Sequence, residues 1–331
     1  MSTSWVLRTN GNPLAATRRF LADLWQRAGL QGLIIPIYQS QGEGPVSPAL
    51  IESPDGLLEA DPFAPVVAQN SARLVLQVSK ARPAGKYGAV LRSCEARALR
   101  KLSLDGLVNL DGWLIVGVDC LPSFPSRDLE WRTERAGSVH NLTREALRYA
   151  RQGGIAPYRF RRGCQMCISP EPEEAQVFIF LYGLPVYEFI LVKAGNEAIS
   201  RQLQLEAYTK GRAAQALIAT HDRALTTLKR RRMGVRQRAV RDIPKELPTD
   251  ALSFLAWLQN CAPCQECLDA CPIYASELQA ILEGEAIMSE SVRSWLASCL
   301  ACGMCEEACP QGLPLTAIKS QIARQVTDWI L

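Results

Sequence analysis

A mixed-sheet α/β domain followed by a mainly helical domain is what the sequence predicts, and three observations predict it. Short buried apolar runs at 33–38, 87–91, 113–118, 177–181 and 189–192 alternate with helical spacing over residues 1–198, the pattern of a layered α/β structure. Residues 199–248 read as a long helix merging into a basic linker that carries Pro244 and Pro248. From 249 to 331 the strand-like runs cease, and two cysteine runs with helical flanks take over. With 331 residues, 48% hydrophobic and 21% charged, this is globular material of about two domains.

Cys261, Cys264, Cys267 and Cys271 precede Pro272, and Cys299, Cys302, Cys305 and Cys309 precede Pro310, so C-x2-C-x2-C-x3-C-P occurs twice. In this spacing three close thiolates grip one [4Fe-4S] cube and the fourth reaches across to another. One cube is therefore expected on Cys261, Cys264, Cys267 and Cys309, and a second on Cys299, Cys302, Cys305 and Cys271. Structural zinc is filled by four thiolates and does not use such runs. Disulfides belong to oxidising compartments, and Met1-Ser-Thr-Ser-Trp-Val-Leu-Arg8 has no secretory pattern. No apolar stretch reaches about 18 residues either. A cytoplasmic protein without a membrane span is expected.

In order along the chain, Leu14, Phe20, Leu21, Leu24, Trp25 and Ala28 fall near helical spacing, with Gly29 as the stop. The strand at 33–38 follows at once. Residues 40–62, rich in Gly, Pro, Ser and Asp, form a hairpin or loop, and 70–80 return to helix. Tyr87–Leu91 is a strand running into helical spacing over Arg92–Lys101. Cys94 thus sits at a strand-to-helix turn, where ligands gather in open α/β sheets. Trp113–Val118 repeats the arrangement and leaves Cys120 just past a strand end; neighbouring parallel strands would bring both cysteines to one edge. A helix at 141–153 leads to Cys164-Gln-Met-Cys167, a pair that alone fits a redox dithiol, half a zinc site or half a cluster. In the tail, Thr249-Asp250 caps a helix holding Phe254, Leu255 and Trp257. Helices are also expected at 275–282, at 289–297 and from Leu315 to Ile330. Eight of the twelve cysteines are used in the tail, and the remaining four, Cys94, Cys120, Cys164 and Cys167, suffice for one more cube.

Four segments carry a resemblance: Asp61-Pro-Phe-Ala-Pro-Val-Val-Ala-Gln-Asn70-Ser-Ala72, Val90-Leu-Arg-Ser-Cys94-Glu-Ala-Arg-Ala-Leu99, Gly117-Val-Asp-Cys120 and Gly163-Cys164-Gln-Met-Cys167. Over residues 5–195 the chain is similar to the beta-subunit family of the deazaflavin-coenzyme-reducing hydrogenase and the related formate dehydrogenases. The tail is similar to the α-helical dicluster ferredoxin portion that such subunits carry. The resemblance implies a mixed-sheet flavin and iron-sulfur domain at 1–198 and a ferredoxin domain at 249–331. It implies FAD beside a third [4Fe-4S] cluster held by Cys94, Cys120, Cys164 and Cys167. Candidate flavin contacts are the loop-end residues Asn10, Asn12, Asn70, Lys86 and Arg92; Lys86 and Arg92 could equally neutralise the adjacent cluster. The implied activity is that of an oxidoreductase subunit linking a formate- or hydrogen-oxidising partner to a soluble two-electron carrier, a deazaflavin coenzyme or a nicotinamide. The alternative is a flavin-free three-cluster adaptor that wires a dehydrogenase to a heterodisulfide-reductase-type complex.

Other chemistry finds no support. His140 and His221, the only histidines, lie outside the cysteine runs and are expected on the surface, and no Ser-His-Asp grouping is visible. The basic run Lys229–Arg232, with Arg236, Arg238 and Arg241, lacks aromatic residues for base stacking. Asp242 and Glu246 follow it closely, so a solvated face or docking surface is expected rather than a nucleic-acid site. The formal charge of +4 singles out no partner.

Overall fold

The computed structural model describes residues 3–38, 46–66, 68–151, 160–261, 264–274 and 290–328. The chain divides into two units, residues 1–160 with 169–230, and residues 161–168 with 231–331. Strands are β1 Ser4–Arg8, β2 Gly32–Tyr38, β3 Val46–Ile51, β4 Tyr87–Arg92, β5 Trp113–Val118, β6 Val177–Phe180 and β7 Phe189–Ala194. Helices are α1 Pro13–Ala28, α2 Ser71–Ala81, α3 Ser93–Leu104, α4 Leu129–Ala136, α5 Val139–Arg151, α6 Arg162–Met166, α7 Glu197–Gln202 and α8 Gln215–Arg241. The tail adds α9 Ala251–Cys261, α10 Glu266–Asp269, α11 Glu290–Ala297, α12 Met304–Ala308 and α13 Leu315–Asp328.

The larger unit is a mixed sheet of seven strands in the order β1-β7-β6-β5-β4-β2-β3. β2, β4, β5 and β6 are parallel; β3, β7 and β1 join antiparallel. Every residue of β4 is buried, as a parallel strand covered on both faces requires. Helix α1 closes over the sheet with Phe20, Leu21, Leu24 and Trp25. Its ends are set locally: Asn12 accepts from the Ala15 N–H at 3.0 Å, and Gly29 takes the left-handed turn at φ 61°.

Topology gathers one set of loops. β4 and β5 pair Arg92 with Val118, and Cys94 and Cys120 each lie two residues beyond that rung, at the C-terminal edge. β1 is antiparallel to β7, which is antiparallel to β6, so β1 runs with β4 and β5. Asn10 and Asn12 therefore follow a strand end at the same edge. Lys86 does not. It precedes β4 at the opposite edge, about 20 Å of extended chain from Arg92. Lys86 and Arg92, both candidates for flavin contact or for neutralising the adjacent cluster, thus lie at opposite ends of a whole parallel strand.

β1 was not expected; five residues at a sheet edge carry too short an alternation to stand out. The helix expected from 199 onward is interrupted: α7 stops at Gln202, Leu205–Tyr208 form a 3-10 turn, Gly211 turns at φ 101°, and α8 begins only at Gln215. The helix expected at 275–282 lies outside the described residues, as do Ser289, Ile330 and residues 40–45; in the rest of 40–62, β3 pairs with β2 as a hairpin arm.

The smaller unit is helical among its described residues. α11 packs on α13 and α10 on α12; Trp295, Leu296, Ile318 and Ile322 are buried, as are Phe254 and Leu255 of α9. Asp250 caps α9 by accepting from the Ser253 N–H at 3.0 Å. Among the described residues no helix is long and apolar enough to cross a membrane.

Candidate functional site

In the helical unit two pockets are lined by cysteine. One is lined by Cys271, Cys299, Cys302 and Cys305; the other by Cys261, Cys264, Cys267 and Cys309. The fourth cysteine of each run has thus crossed to the other run's pocket. None of the twelve cysteines forms a disulfide. Among the described residues no three His, Cys, Asp or Glu side chains converge tightly enough to share a single metal ion. Each pocket is lined by four cysteines, three from one run and one from the other, the ligand sharing that paired cubes use.

The backbone explains the crossing. In each run the residue after the second cysteine is left-handed, Gln265 at φ 48° and Gly303 at φ 77°, which turns the chain back so that the third cysteine faces the first two. A single helical turn follows, α10 or α12. The fourth cysteine closes it, with Cys271 N–H donating to Leu268 O at 2.9 Å and Cys309 N–H to Glu306 O at 3.4 Å. Proline then prevents the helix from continuing, and the fourth thiol is carried away from its own loop. Burial pushes the Cys305 thiol up to about 12. It therefore ionises only against a strong cation, and metal binding must expel its proton.

The segment carrying Cys164 and Cys167 belongs to this helical unit. Gly163 lies against Gly303, in the loop between Cys302 and Cys305; a Cβ on Gly163 would fall 2.8 Å from Gly303 Cα. Arg161 is buried, with Nη1 3.1 Å from Met304 Sδ, and Arg162 Nε lies 3.4 Å from Glu306 Oε1. Arg232 donates to Cys167 O at 3.4 Å, and in the other unit Lys229 pairs with Glu171, so part of the basic run serves internal contacts. Gly163→Val is expected to cost about 1–3 kcal/mol, because the obstructing atoms are backbone and cannot rotate away. Denaturant unfolding followed by a helix signal measures it.

In the sheet unit Cys120 hydrogen bonds to Cys94, bringing the Cys94 thiol down to about 7. Arg92 is buried beside them and donates to Ser123 Oγ at 3.1 Å and to Ala64 O. Asn12 caps α1, and Asn70 caps α2 by accepting from Ala72 N–H at 3.0 Å. Asn70 is only 3% exposed, and its Nδ2 has no hydrogen-bond partner among the described residues. Asn10 holds φ 47° in the turn before α1.

His221 corrects the surface expectation. It is 2% exposed, stacks on Phe180 with centroids 4.3 Å apart, and places Nε2 2.9 Å from Asp119 Oδ2. The same oxygen accepts from Leu181 and Tyr182 N–H. Burial opposes a charge on His221, but the Asp119 carboxylate outweighs it and holds the imidazole above its ordinary pKa. His140 is exposed, as expected, with Nδ1 3.2 Å from Tyr38 Oη.

Asp61 is a second buried acid that sequence reasoning passed over. Oδ2 accepts from Tyr38 and from Thr143 Oγ1 at 2.5 Å, and Oδ1 from Phe63 N–H at 2.9 Å. Burial outweighs these bonds and the field of Arg18, and raises the carboxyl above its ordinary 3.8. An acid raised by folding favours the native state when protonated. Its contribution is full below the unfolded value and is lost as pH climbs through the raised one. The urea midpoint is expected to fall over that window, and Asp61→Asn to flatten the fall.

Residues 260–313 match the family model of the 4Fe-4S dicluster domain. The helical tail is thus an iron-sulfur domain of the two-cube kind. No curated protein matches the chain. Among solved structures it is similar to a chain of the F420-reducing [NiFe] hydrogenase complex from Methanosarcina barkeri, studied by xenon derivatization. The TM-score is 0.51 at 13% identity, covering 73% of this chain and 91% of that one. A likeness at that identity speaks for the fold.

Proposed function

We propose that the chain is an electron-transfer subunit of a multi-subunit oxidoreductase, carrying three [4Fe-4S] clusters and FAD. It links a formate- or hydrogen-oxidising partner to a soluble two-electron carrier. The observation that carries the reading is the exchange of Cys271 and Cys309 between the two cysteine pockets, an arrangement that serves paired cubes. When bound, the cubes pass single electrons and the flavin couples them to two-electron chemistry.

The remaining cysteines, Cys94, Cys120, Cys164 and Cys167, are the proposed ligands of the third cluster, on the cysteine count and the family resemblance. The flavin reading is supported by the C-terminal edge of the sheet. α1 and α3 begin there directly after β1 and β4, and helix N-termini suit a pyrophosphate. Asn70 offers a buried amide donor with no partner among the described residues, and Asn10, Asn12 and Arg92 are the other contacts proposed at that edge. Lys86, at the opposite edge, is not among them.

The test is anaerobic purification with its co-purifying subunits. About one flavin released per chain on denaturation supports the reading. Full iron with no flavin would replace it with the flavin-free adaptor.

A further inference from the structure

The cysteine pocket of Cys271, Cys299, Cys302 and Cys305 has one cationic wall. Lys319, on α13, lines it and is only 4% exposed. Its ammonium sits 4.6 Å from the ring centre of Trp295 and 5.9 Å from that of Phe254. These aromatic faces hold the side chain but carry no net charge. Among the described residues no carboxylate pairs with it. Buried lysine without a counter-charge is costly, and such groups are normally paired. Here the groups able to take up negative charge beside it are the four cysteines that line the same pocket.

The geometry points to Lys319 as a fixed positive charge that poises the cube of Cys271, Cys299, Cys302 and Cys305 at a higher reduction potential than its neighbour. Given the cluster reading above, on which this rests, the effect of Lys319 is electrostatic. A cube with four thiolates gains a negative charge on reduction, and a cation in a low-dielectric wall stabilises the reduced form more than the oxidised one. Lys319 lines this pocket and does not line the one of Cys261, Cys264, Cys267 and Cys309, so the two cubes are affected unequally. The cube of the second set, whose pocket Lys319 does not line, is expected to shift less. Electrons would then rest on the cube nearer Lys319.

Redox titration of the intact chain, followed by electron paramagnetic resonance, tests this; the cube near Lys319 is identified by its loss in Cys302→Ser. Lys319→Met is expected to keep the iron and to lower that cube's reduced-to-oxidised ratio at least tenfold at fixed potential, a downward shift of about 59 mV or more. The other cube should shift less, and Lys319→Arg should restore the wild-type value. Unchanged potentials with full iron, or a larger shift at the other cube, would overturn the proposal. If Lys319→Met loses iron, wild-type protein labelled with 15N-lysine decides. A 15N hyperfine coupling to the reduced cube supports the role, and its absence refutes it. Wild-type protein that binds no iron at the tail cysteines would instead sink the cluster reading itself.

Discussion

Cys271→Ser is expected to extinguish the cube gripped by Cys299, Cys302 and Cys305, and to leave intact the one gripped by its own run. Sequence proximity suggests the opposite, since Cys271 closes the run that begins at Cys261. The structure puts Cys271 on the wall of the other pocket and Cys309 in its place. Iron should fall by about four atoms per chain, one cube's worth, with only one of the two tail signals lost. Cys309→Ser should remove the complementary signal. Because three helical elements, α10, α11 and α12, abut the cysteine loops, part of the unit's stability is expected to go with the cube. Thermal unfolding monitored beside the iron count would show both losses together. Loss of the other cube in Cys271→Ser would mean that each run closes on itself.

His221→Ala is expected to destabilise the sheet unit by about 3–5 kcal/mol, because it leaves the Asp119 carboxylate buried without its charged partner. Both side chains are at most 3% exposed, so water cannot replace the imidazole without opening the fold. Asp119 precedes Cys120 and anchors the Leu181 and Tyr182 amides, so the change should loosen the strand ends where Cys94 and Cys120 meet. His221→Gln, which retains a donor, should recover part of the loss. Urea denaturation of the three forms measures it; a change below 1 kcal/mol would show that the pair behaves as an exposed one.

The parts of this fold that are short-range were legible in the residues. β2, β4, β5, β6 and β7 announce themselves as apolar runs, and α1, α2 and α3 as periodic ones with Asn12, Asn70 and Gly29 at their ends. The tail motif announces its cysteine loops by spacing, and in them Gln265 and Gly303 turn left-handed. What escaped depends on long-range pairing. β1 gains strand character from β7, some 185 residues on. His221 reads as an ordinary helical residue until α8 sets it against Asp119, 102 positions earlier. Lys319 looks like a polar position in an amphipathic helix, and only the packing of α13 between Trp295 and Phe254 turns it inward. An unpaired histidine or lysine within helical spacing is the sole signal the sequence offers for such residues, and it is shared by many surface positions. The same holds for Lys86 and Arg92, close in sequence and separated by the full length of β4.

The account rests on iron at all twelve cysteines, and a direct count of iron and acid-labile sulfide per chain tests it. Anaerobically prepared protein is predicted to hold about twelve of each, with about a third lost in Cys164→Ser combined with Cys167→Ser while the tail signals persist. Zinc in place of iron, or an iron count that the double replacement leaves unchanged, would contradict it.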